Sequence, residues 1–110
     1  MTQVEFDAVV ERRIELIRST LVTKGREYVR GDDRLWNFRN AASIERSTMS
    51  RSLLGKWGKH LASVIDFIYD LERGVTHSRA EWDEKLGDVI NYGILLEAVV
   101  IEEGGNTPGV

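Results

Sequence analysis

Apolar residues recur at three and four along most of this chain, with polar residues filling the gaps, which is the helical period. From Phe6 the apolar positions are Val9, Val10, Ile14, Ile17, Leu21 and Val22, while Glu11, Arg12, Arg13, Glu15 and Arg18 occupy the other face. The spacing predicts a first amphipathic helix over about 3–24, with Gly25 as its stop and KGREYVR able to carry one further turn. The next stretch, VRGDDRL, loses all period and concentrates turn formers, so it reads as a loop. WNFRNAASI then brings Phe38, Ala41, Ala42 and Ile44 near one face of a short second helix. Leu53, Leu54, Trp57, Leu61, Val64, Ile65, Ile68 and Leu71 trace a third helix over about 51–73, with Ser47 or Ser50 as its cap and Gly74 near its end. Ser78 and Glu81 form S-x-x-E, the capping box of a fourth helix over about 79–103, which Gly104-Gly105 would stop.

No segment alternates as a strand does, so the expected fold is all-α: an antiparallel bundle of three long helices and one short one. The expected organisation is one domain over 1–103 and a flexible tail over 104–110. From Val89 to Ile101 the fourth helix is apolar on nearly every side, more than a chain of 110 residues readily covers, so a homo-oligomer, dimer or tetramer, is expected to complete the bundle.

Composition narrows the function. Absence of cysteine removes thiolate metal sites, redox motifs and cysteine nucleophiles. No run approaches the roughly 18 apolar residues that span a bilayer, and MTQVEFDAVVERR lacks the apolar centre of a secretion signal, so a cytoplasmic protein without a membrane partner is expected. A net charge of −3 argues against a nucleic-acid duplex as partner and leaves a small anion as the better candidate. The phosphate loops, the zincin motif and the nucleophile elbow do not occur.

Three clusters place polar or aromatic residues where an inert bundle would not. Glu84, Asp88 and Asn91 fall at i, i+4 and i+7 on the fourth helix, on a face that continues into Leu95 and Ala98. Two carboxylates and an amide oxygen are ligands that Mg²⁺ accepts beside substrate phosphates; alternatively Asp88 pairs with an arginine of a neighbouring helix. On the third helix Lys56, Lys59, Ser63 and Asp66 flank the apolar stripe and His60 lies on it. Lys59 and His60 suit a phosphate, or else the histidine is a satisfied core residue and the lysines snorkel. Around the aperiodic loop stand Lys24, Tyr28, Trp36, Asn37 and Phe38. They suit a nucleotide, with rings on the base, Asn on a base edge or ribose and Lys on a phosphate, or else the aromatics staple the short helix to the core.

Taken in order, KGREY, WNFRNAA, GKWGKHLASVIDF and EWDEKLGDVINYGILLEA resemble the phage-associated nucleotide-modification-associated proteins of the MazG-like, all-α nucleoside triphosphate pyrophosphohydrolase superfamily. The resemblance covers roughly residues 20–100 and is most specific at Glu84, Asp88, Asn91 and Tyr92. It implies an oligomeric α domain that holds Mg²⁺ through Glu84 and Asp88 and acts on a (deoxy)nucleoside triphosphate, water attacking between the α- and β-phosphates to release pyrophosphate. It also implies that Lys24, Tyr28, Trp36, Asn37, Phe38, Lys59, His60 and Asn91 hold the nucleotide. The chain departs from the superfamily's enzymes, which carry E-x-x-E on one helix and E-x-x-D on the next. Lys85 stands three residues before Asp88, and the sole E-x-x-E is Glu81 with Glu84 on that same helix. Two rival functions come from other classes. A small helical adaptor would use the apolar surface of the fourth helix to bind a protein. A helix-turn-helix regulator built on 37–46 and 50–60 is disfavoured by the acidic balance.

Overall fold

The computed structural model describes residues 1–104; the tail expected over 104–110 lies outside them except for Gly104, the last described residue, which is helical. Among the described residues the architecture is all-α, with four α-helices: α1 (Gln3–Ile17), α2 (Trp36–Glu45), α3 (Met49–Glu72) and α4 (Arg79–Gly104). The chain divides into two compact units, 1–36 and the remainder from Asn37 on.

In the first unit, Thr2 caps α1 by accepting from the Glu5 amide, while the Glu5 carboxylate accepts from the Thr2 amide, so two otherwise orphaned donors are satisfied. The single helix expected over 3–24 instead changes winding twice: α1 gives way to a π-helical stretch, Arg18–Thr23, and then to a 3₁₀ stretch, Lys24–Tyr28. Gly25 is therefore not a stop. It is buried because the Arg34 guanidinium lies across it, and a Cβ there would stand 2.7 Å from Arg34 Nη2. The VRGDDRL loop is a tight turn in which Arg30 and Asp33 exchange backbone hydrogen bonds of 3.2 and 2.9 Å. Gly31 and Asp32 between them both take positive φ, 56° and 68°, as a two-residue type I′ turn requires. Asp33 Oδ1 then accepts from the Leu35 amide at the entry to α2.

The second unit is built on α3 and α4, which lie antiparallel. Ser50 pairs with Glu103 at one end, Trp57 with Val89 and His60 with Asp88 in the middle, and Asp70 with His77 at the other end. α2 ends with Arg46 at φ 54° and the Ser47 amide donating to Ala42 O. The cap of α3 is Thr48, whose hydroxyl accepts from the Arg51 amide, rather than Ser47 or Ser50; the Ser50 amide and hydroxyl instead donate to Glu103. Glu103 thereby sets a carboxylate on the amide-rich start of α3. At the other end Gly74, at φ 77°, lets the Val75 amide reach Asp70 O. The expected capping box forms at α4, with Ser78 and Glu81 each accepting the other's amide proton.

Phe38 and Ala42 of α2, Met49 and Leu53 of α3 and Val99 of α4 make the core, and Leu53 and Val99 are wholly removed from solvent. Leu54, Leu61, Ile65 and Ile68 on α3, and Leu86, Ile90, Ile94 and Val100 on α4, remain exposed. No helix among the described residues is long and apolar enough to cross a membrane.

Candidate functional site

α3 and α4 bring His60 and Asp88 together: imidazole Nδ1 lies 3.4 Å from Asp88 Oδ2, both side chains about one-third exposed. Asp88 thus pairs with a histidine of the facing helix, not with an arginine. The Tyr92 ring, one turn along α4 from Asp88, stands 4.8 Å from the His60 ring and tilted 44° to it. Tyr92 in turn presents an edge-on contact to Phe38 at 6.1 Å, and Lys56 Nζ sits 6.0 Å from the Phe38 ring on the same seam. Trp57 locks the two helices beside this seam, its indole N–H donating to Val89 O at 3.0 Å.

Among the described residues of this unit, two side-chain carbonyl oxygens are buried without a hydrogen-bond partner, Asn91 Oδ1 and Asn37 Oδ1. Asn91 follows Asp88 by three positions on α4 and is 7% exposed; Asn37 immediately precedes Phe38 on α2. Leaving such an oxygen dry and unpaired costs about 1–3 kcal/mol, so an inert bundle would favour an apolar residue at either position.

The remaining site candidates separate by location. Lys59 and Glu84 are exposed on α3 and α4. Phe38, expected to wall a base, is 2% exposed and packed on Tyr92, so the stapling alternative describes its position and its ring has no open face to offer. Lys24, Tyr28 and Trp36 belong to the first unit. There the Arg34 guanidinium lies 5.5 Å over the Tyr28 ring and that of Arg30 lies 6.0 Å over Trp36, with Arg30 also donating to Glu27 O and Val29 O. One face of each exposed ring is thus already covered by a cation.

No group of three or more acidic or histidine side chains that could hold a metal occurs among the described residues, Asp88 and Glu84 included. Mg²⁺ keeps most of its waters and is commonly held by one or two carboxylates plus phosphates of a substrate.

A second constellation escaped the reading of the sequence. His77, in the turn between α3 and α4, places Nε2 2.8 Å from Asp70 Oδ2 and Nδ1 3.2 Å from Glu81 Oε2. Its ring stacks on Phe67 at 3.8 Å and 3°, and Phe67 meets Trp82 edge-on at 5.1 Å. The signal was a histidine with carboxylates seven residues before it and four after, across a predicted turn. No family model, curated protein or solved structure matches this chain.

Proposed function

We propose that this protein binds a (deoxy)nucleoside triphosphate at the seam of α2, α3 and α4, as a relative of the MazG-like pyrophosphohydrolases. The observation that supports it most is Asn91 Oδ1, a buried acceptor without a partner one turn from the His60–Asp88 pair. An acceptor held dry in the bundle is suited to a donor on a base or sugar, and it repays its cost when that donor arrives. His60 and the neighbouring Lys59 serve the phosphates, Lys59 as a mobile point charge and His60 as a donor oriented by Asp88. Asp88 and Glu84 meet the Mg²⁺ that accompanies the triphosphate and neutralises its charge. Asn37 adds a second buried acceptor. Hydrolysis between the α- and β-phosphates needs more carboxylates than one chain presents, and a second copy of the chain is the proposed source of the rest.

The decisive experiment is calorimetric titration with canonical and modified (deoxy)nucleoside triphosphates in the presence of Mg²⁺, with pyrophosphate release followed in parallel. Binding is expected with at least one triphosphate, and Lys59→Ala should weaken it by about 1.5–3 kcal/mol, the worth of a charged hydrogen bond, while changing stability by less than about 0.5 kcal/mol. No heat and no thermal shift with any triphosphate would end the proposal. The exposed apolar residues Leu86, Ile90, Ile94 and Val100 of α4 favour a second reading, a helical adaptor that binds another protein. Light scattering separates the two: the nucleotide-binding reading expects a homo-oligomer, the adaptor a 12.5 kDa monomer without nucleotide affinity.

A further inference from the structure

We propose that His77 is a protonation-operated latch: as the imidazolium it ties Asp70 at the end of α3 to Glu81 in the first turn of α4, and on losing its proton it lets the turn between the helices open. The argument begins with proton counting. A neutral imidazole carries one N–H, so it can donate to one carboxylate only and must turn a lone pair toward the other. Here both ring nitrogens lie within hydrogen-bond reach of a carboxylate oxygen, Nε2 of Asp70 and Nδ1 of Glu81. Only the doubly protonated ring satisfies both at once.

The surroundings favour the same form. The ring lies flat on Phe67, whose π-face attracts a cation. Asp70 faces His77 from α3 and is held in an ion pair by Arg73, the residue just past that helix; Asp66 and Glu72 share a surface depression with them. From α4 come Glu81 and, with its ammonium 5.7 Å from the Phe67 ring, Lys85. The two carboxylates touch the imidazole, whereas the two cations touch its neighbours. The hydrogen bond to Asp70, and after it that to Glu81, hold the His77 pKa above 6.5 against partial burial, which pushes it down. Asp70 is held below the usual carboxylate range by His77 and then Arg73, and Glu81 by the Ser78 amide, the Ser78 hydroxyl and then His77.

The signs follow from these shifts. A raised histidine pKa contributes stability that is fully present below the unfolded value and is lost as pH rises through the folded value. A depressed carboxylate pKa contributes stability present above the unfolded value and lost as pH falls through the folded one. The latch is therefore tightest between the ordinary carboxylate and histidine ranges, and it loosens toward alkaline pH. It sits at the closed end of the hairpin that carries His60 and Asp88, so it governs how firmly that hairpin is shut.

The test uses the full chain and its own resonances. In an NMR titration both His77 ring nitrogens should stay protonated past pH 6.5. Amide exchange over residues 74–78, corrected for its intrinsic pH dependence, should quicken severalfold as that proton leaves. Glu81→Gln should move the His77 midpoint downward, and His77→Gln should abolish the pH step. A wild-type His77 titrating at or below the unperturbed value, or a single tautomer throughout the titration, would overturn the latch. So would pH-independent protection of the turn.

Discussion

Two histidines on the same helical hairpin meet carboxylates of the facing segment, and they do so differently. His77 has a carboxylate against each ring nitrogen and a phenyl ring flat against its face. His60 has one carboxylate at 3.4 Å and a tilted tyrosine, while Asn91, one turn along α4 from Asp88, has a buried carbonyl oxygen without a partner. The turn region has settled its polar groups among themselves; the middle of the seam has not. A region whose donors and acceptors close on one another needs no ligand to complete it, whereas the dry acceptor of the seam is the group the proposed nucleotide would satisfy.

That contrast can be broken or sharpened by substitution. The largest effect belongs to the core of the second unit, at the end of the hairpin opposite the turn: Leu53→Ala removes a wholly buried side chain and should cost about 2–5 kcal/mol in chemical denaturation. It should lower protection at the turn and at the seam together, and loss confined to one would show that they unfold independently. Next comes Asn91→Leu, which replaces the unpaired oxygen with methyl groups of similar reach. It should raise the stability of the nucleotide-free protein by about 1 kcal/mol, the lower end of what an unpaired buried acceptor costs, and abolish nucleotide binding. A stabilised variant that still binds nucleotide normally would place Asn91 outside the site.

The smallest change in stability is expected from Asp88→Asn. An ion pair with both partners about one-third exposed is worth less than about 1 kcal/mol, so thermal melting should hardly move while Mg²⁺-dependent nucleotide binding is lost. A large drop in melting temperature with nucleotide affinity intact would make Asp88 a structural partner of His60, equivalent in kind to Asp70 beneath His77.

The helices were legible because their signals are local. Ser78 and Glu81 announced the start of α4, and Gly74 the end of α3, through hydrogen bonds spanning only a few residues. The change of winding after Ile17 was not legible, since the apolar period of the first segment runs on through Val22 whichever way the backbone turns. Thr48 was passed over as the cap of α3 because Ser47 and Ser50 are equally good caps in isolation. The Thr48 hydroxyl is the one that reaches a first-turn amide, that of Arg51, while Ser50 is engaged by Glu103, 53 positions away. Of the site, the sequence could place Asp88 with Asn91 on one face of α4, but not His60 opposite them.

By itself, then, the sequence determined an all-α chain, the bounds of its later helices to within a few residues, and the small set of polar residues that interrupt apolar faces. These properties depend on side-chain period and on caps whose partners are three or four residues apart. Only the tertiary structure decided that Asp88 would meet a histidine, that Phe38 would be buried beneath Tyr92, and that His77 would lie between two carboxylates. Each of those pairings depends on the register of one helix against another, a property set by how the whole core packs and carried by no short stretch of the chain.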